Sequence, residues 1–168
     1  MPSEEEALNL LAQVGCSKKV VEHCITVADL AAEIANSCKD KGFEVDVELV
    51  RIGALLHDIG RAKTHCIDHS IVGAQMAREK GLPSVIVFII ERHVGSGISA
   101  KEAEKLGWLV KNYIPESLEE RIVAYADKLI VGSIRMPIEV AVERFRQDKN
   151  IPKASIERFK QWHDELSI

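Results

Sequence analysis

Apolar residues recur along most of this chain at steps of three and four, the period of a helix buried on one face. The clearest run covers residues 18–40. Val20, Val21, Cys24, Val27, Ala28, Ala31, Ile34, Ala35 and Cys38 share a side, Ser17 supplies a cap and Gly42 a stop. The same pattern predicts a short helix over 4–13, ended near Gly15. A third is expected from Val47 to about Asp58, capped by Asp46 and closed by Gly60. A fourth opens at Asp68 or its neighbours and ends at Gly81; a fifth runs from Pro83-Ser84 to about His93. Two capping boxes, SAKE at 99–102 and SLEE at 117–120, start helices that stop at Gly107 and at about Val131. Pro137 precedes a helix at 138–148, and Pro152 starts a last one whose Ile156, Phe159 and Leu166 form an apolar edge. Only SVIVFII, at 84–90, is strand-like in composition, and its Pro-Ser start and polar continuation make it a buried helix. The expectation is a single all-α domain over 1–168, with eight or nine helices.

Composition narrows this picture. A chain of 168 residues suits one domain with a sizeable core. With aromatics at 5% and apolar residues at 46%, that core must be aliphatic. A net charge of −4 argues against nucleic-acid binding by bulk attraction, while leaving room for a local basic pocket that holds a phosphate. The four cysteines, Cys16, Cys24, Cys38 and Cys66, form no CxxC pair, which gives no support to a zinc finger or a disulfide framework. Cys24 and Cys38 fall in an apolar helical pattern as buried thiols, as suits a reducing cytoplasm. The acidic N-terminus does not read as a signal peptide, and SVIVFII is too short to span a bilayer. A cytoplasmic location without a membrane is expected.

The chemistry concentrates in GALLHDIGRAKTHCIDHS, 53–70, which holds three of the six histidines. His57-Asp58 ends an apolar helix. Taken alone, it reads as a histidine favourable at a helix C-terminus beside an exposed carboxylate. His23 shares a face with Val20, Val27, Leu30 and Ile34, and taken alone is a core histidine bonded to a carbonyl. Asp127 lies in line with Val123 and Ile130, where a carboxylate is costly unless paired or metal-bound. Three inward-facing polar groups on three apolar helices are harder to explain separately. Converging imidazoles and carboxylates are how bundles build metal sites.

The order His23, His57-Asp58, Asp127, with HDIG at 57–60 and AYADKL at 124–129, resembles the HD-domain metal-dependent phosphohydrolase superfamily over residues 18–132. The helices at 138–166 would pack on that motif core. The resemblance implies that His23, His57, Asp58 and Asp127 hold one divalent metal. His69, which opens HSIVGAQMA, and His93, in IIERHVGSG, extend the likeness to two-metal members such as bacterial diadenosine-tetraphosphate hydrolases. There Asp58 would bridge two ions, with His69 and His93 on the second. The cyclic-di-GMP branch fits poorly, because this chain lacks its GYP signature and its paired histidines.

The implied reaction is hydrolysis of a phosphoester or phosphoanhydride in a nucleotide or related small molecule, with Asp58 or Asp127 orienting metal-bound water. Nitrogen-rich ligands favour one or two ions of Mn, Fe, Co, Ni or Zn. Arg61, Lys63 and Arg92 are candidate phosphate ligands, and Lys128 and His65 lesser ones. GSG at 95–97 reads as a hinge or lid, Trp162 as packing, His163 as surface, and RFRQDKN at 144–150 as a solvated face, with a minor RNA-contact role as the alternative. Two rival readings are a di-iron oxygenase on the same fold and a non-catalytic module that binds nucleotide or associates with RNA. The sequence fixes neither substrate nor oligomeric state.

Overall fold

The computed structural model describes residues 1–149 and 151–167, so the expected domain span reaches beyond it at Asn150 and Ile168. Nine α-helices are present among the described residues: α1 (Glu4–Gln13), α2 (Lys18–Asp40), α3 (Val47–Leu56), α4 (His69–Glu79), α5 (Ser84–Arg92), α6 (Ala100–Lys105), α7 (Leu118–Leu129), α8 (Ile138–Gln147) and α9 (Lys153–Leu166). The all-α expectation holds, and SVIVFII is helical. Ser3, Ser17, Asp46, Ser99 and Ser117 each accept a hydrogen bond from a first-turn amide. These caps explain why five of the starts were readable.

The centre of the molecule is α3, packed by α1, α2, α5 and α7. Val50, Ile52, Gly53, Ala54, Leu55 and Leu56 are all buried, so this helix has almost no solvent face. A methyl group on Gly53 would overlap the Ile89 side chain, which places α5 directly against α3. The core is aliphatic around Val27, Leu30, Ile34, Leu55, Ile86 and Val123, with Phe159 and Trp162 of α9 sealing its edge.

Three local expectations change. The third helix stops at Leu56; His57 is its cap, and Ile59–Ala62 turn as a 3-10 helix. Gly60 is therefore not a left-handed stop. A side chain there would overlap the His69 carbonyl oxygen and approach the Gly73 amide at 2.7 Å. Gly60 and Gly73 let the 3-10 turn lie on α4 backbone to backbone. The second capping box is half made: Ser117 caps, but the Glu120 carboxylate accepts from the Glu116 amide and Arg92 instead. Finally, α7 runs into a small antiparallel hairpin, β1 (Ile130–Val131) with β2 (Ile134–Arg135), that the helical pattern did not predict. No helix among the described residues is long and apolar enough to cross a membrane.

Candidate metal centre

The site forms where the ends of α3, α4 and α5 meet the faces of α2 and α7. Helix ends leave backbone carbonyls without intrahelical partners. His57, the cap of α3, donates Nδ1–H to the Ala54 carbonyl at 2.6 Å, and His93, the cap of α5, donates to Ile90 at 2.7 Å. His69, the first residue of α4, donates to Cys66 at 2.8 Å. From the middle of α2, His23 donates to the Gly132 carbonyl at 2.7 Å, within the hairpin turn. A carbonyl can only accept, so the hydrogen of each neutral ring sits on Nδ1 and the Nε2 lone pair is free. This is the tautomer of a histidine metal ligand held from behind.

All four Nε2 atoms face two carboxylates. Asp127 Oδ1 lies 3.0 Å from His23 Nε2 and 3.4 Å from His57 Nε2. Asp58 sits between two groups. Its Oδ1 is 3.1 Å from His69 Nε2 and 3.5 Å from His93 Nε2, and its Oδ2 is 3.7 Å from His57 and 3.9 Å from His23. His57 and Asp58 are neighbours in sequence yet reach one centre because the chain leaves the α-helix between them, with Asp58 at φ −100°.

The donor set fits a divalent cation. His57 Nε2 and Asp58 Oδ1 are buried without a hydrogen-bond partner, a costly arrangement unless something positive meets them. His57, Asp58 and His23, and likewise Asp58, His69 and His93, present ligand atoms within 4.8 Å of one another. Burial raises the Asp58 and Asp127 carboxyls, but the surrounding imidazoles, and Lys128 beside Asp127, hold both well below the usual range. Burial pushes the His93 imidazole down to about 4 against the pull of Asp58, so it stays neutral. At His57 burial also disfavours charge, yet the Asp58 carboxylate outweighs it and the net direction is upward.

The basic residues separate. Arg61 donates from Nε to Asp58 Oδ2 at 2.7 Å and lines the open cavity of about 600 Å³ above the site. Lys128 contacts the outer oxygen of Asp127, and His65 also lines the cavity. Lys63 is exposed and does not line it. Arg92 is turned away, with Nη1 at 3.0 Å from Glu120 and 3.2 Å from Glu116 and its guanidinium 4.6 Å from the Phe88 ring. Unlike Arg61, which was expected beside it as a phosphate ligand, Arg92 does not line the cavity, and two carboxylates meet its charge.

GSG is not a free lid. Ser96 is fully buried and donates to the Ser155 carbonyl at 2.6 Å, and Arg158 donates to the Ser96 and Gly97 carbonyls. The turn is the seat of α9. His163, expected at the surface, shares a 2.7 Å hydrogen bond with the buried Tyr125 hydroxyl. The sequence pattern also missed Arg144, which lines the cavity from α8. It lies in RFRQDKN, where nothing local distinguishes a cavity wall from a solvated face. Asn150 of that stretch is outside the described residues.

Comparison with known proteins places this geometry. The HD domain family matches residues 20–132. An uncharacterised protein of Methanocaldococcus jannaschii is 49% identical over 165 residues, 97% of this chain and 96% of that protein. A Thermoplasma volcanium protein named tRNA (cytidine(56)-2'-O)-methyltransferase is 41% identical over 167 residues, 99% of this chain and 47% of that protein. The chain thus spans about half the length of that relative. The HD domain of the L. monocytogenes phosphodiesterase PgpH, solved in complex with cyclic-di-AMP, has the same fold: TM-score 0.60 with 19% identity, covering 92% of each chain.

Proposed function

The chain belongs to the HD-domain family, and from that premise we propose that it is a metal-dependent phosphohydrolase acting on a phosphoester or phosphoanhydride of a nucleotide. The supporting observation is the convergence of four imidazole Nε2 atoms on Asp58 and Asp127, with buried unpaired donors between them. His23, His57, Asp58 and Asp127 would hold one ion, and Asp58, His69 and His93 a second. Such ions supply a water acidic enough to ionise near neutral pH and a positive charge against phosphate oxygens. The protein's own contribution is orientation. Backbone carbonyls fix each ring from behind, and Lys128 keeps the outer oxygen of Asp127 occupied so that its inner one faces the site. Arg61 can swing from Asp58 to a phosphate oxygen, and Lys128 and Arg144 add charge to the cavity lining. Val94, Ile130, Phe145 and Ile151 give the cavity an apolar side that suits a base.

The test is turnover of phosphorylated metabolites and of bis(p-nitrophenyl) phosphate by purified protein with added Mn. Activity is expected to vanish with EDTA and in H57A and D58A. Unchanged turnover in both variants would remove the hydrolase reading from this site.

A further inference from the structure

The cavity above the metal centre does not end at α8. A second, of about 770 Å³, adjoins it between α8 and α9 and shares Phe145, Asp148 and Ile151 with it. Its walls carry Arg146, Lys149, Lys153 and Lys160 against the carboxylates of Asp148 and Glu157. The carboxylate contacts of these cations are weak where present. Arg146 lies 3.6 Å from Glu143 and Lys160 3.4 Å from Glu157, all four side chains being well exposed. Between positions 144 and 160 the chain has six cations and two acids, although the whole molecule carries −4. Only Arg158 of the six is turned inward, to the Ser96 and Gly97 carbonyls. A positive track therefore leads from Arg61, Lys128 and Arg144 at the metal centre, past Phe145 and Ile151, out along α8 and α9.

We propose that this track binds a single-stranded oligonucleotide, one of whose phosphodiester links lies at the metal centre while the strand continues over Lys149, Lys153 and Lys160. This rests on the hydrolase reading and names its substrate class. A mononucleotide held at the metal centre would engage only the first cavity and leave the second without a role. Repeating phosphates match a row of cations, and the apolar side chains between them offer contacts to bases. The strand must be single. Asp58 is 3% exposed and His57 not at all, so the phosphate has to descend into a cavity. A duplex holds its phosphates on a convex surface and cannot deliver one there.

The experiment is fluorescence anisotropy of a labelled oligoribonucleotide in EDTA, where no turnover occurs. The strand is tested alone and annealed to its complement, over a range of salt. Wild-type protein is expected to bind the single strand with strong salt dependence, and the duplex more weakly. The double variant K149E/K153E is expected to lose about tenfold or more in affinity, with a salt slope about 1.4 smaller, since each lost phosphate contact removes about 0.7. The charge-matched control K39E/K80E, at helix ends about 16–24 Å beyond the site histidines of α2 and α4, is expected to bind as wild type. Equal loss in both double variants, no salt dependence, or duplex binding as tight as single-strand binding overturns the proposal. Since binding is read without metal, Mn-dependent hydrolysis of bis(p-nitrophenyl) phosphate separates its failure from failure of the hydrolase reading.

Discussion

His69 Nε2 and His93 Nε2 lie 3.0 Å apart, on rings whose Nδ1–H groups are both committed to backbone carbonyls. Two lone pairs at that distance repel unless a cation lies between or beside them. The arrangement is built from the start of α4 and the end of α5, two helices that pack along their length.

Removing either ring should therefore separate the two metal groups. H69A and H93A are expected to lose one of two bound Mn ions, by elemental analysis and titration calorimetry. Affinity at that position should drop by on the order of a hundredfold, since even the partners behind metal ligands contribute 10–100-fold. The group of His23, His57 and Asp127 should still bind. One ion in the wild type and in both variants would exclude a second metal.

Gly60 should tolerate no side chain. In G60A the new methyl group meets the His69 carbonyl oxygen, so the 3-10 turn must move off α4 and take Asp58 away from His69. We expect about 1–3 kcal/mol of destabilisation in urea melts, together with weaker metal binding. A variant as stable as wild type would show that the two backbones are not held this closely.

Arg61 and Arg92 should behave differently despite their similar places in the sequence. R61A is expected to raise KM for a phosphorylated substrate several-fold. R92A should lower stability by about 1–2 kcal/mol, because it leaves the buried Glu120 carboxylate without its cation, and should leave KM unchanged. Denaturation and steady-state kinetics on the two variants check this together.

Glu91 gives the fold an acid-sensitive point away from substrate. It is buried, which raises its carboxyl, but Arg78 at 2.7 Å and Lys111 at 2.8 Å overcome that and hold it below its usual 4.5. A depressed carboxyl contributes stability that is present above the unfolded value and lost as pH falls through the folded one. Wild type should therefore lose stability below about pH 4.5, where the unfolded chain takes up the proton first. E91Q should be less stable by about 1–3 kcal/mol at pH 7 and show a flatter acid limb in thermal melts.

The helices were legible because their signals are local. Ser17, Asp46, Ser99 and Ser117 stand one residue before their helices, and the apolar period of residues 18–40 needs no partner to be read. His23, His57, Asp58 and Asp127 stood out for a related reason, being polar groups on faces otherwise apolar. What failed locally was direction. Arg92 follows an apolar run next to His93, yet its side chain leaves the site for Glu116 and Glu120, residues more than twenty positions away.

By itself, then, the sequence determined the helical class, most helix starts and the residue types able to hold a metal, because caps, periodicity and ligand chemistry act within a few residues. Only the tertiary structure decided which atoms meet. The approach of Gly60 to Gly73, the carbonyls behind each histidine, the division of Asp58 between two imidazole pairs and the placing of Arg144 on the cavity wall all depend on segments far apart in the chain. Their distances are set by how the helices pack, and packing is a property of pairs of surfaces that no single stretch carries.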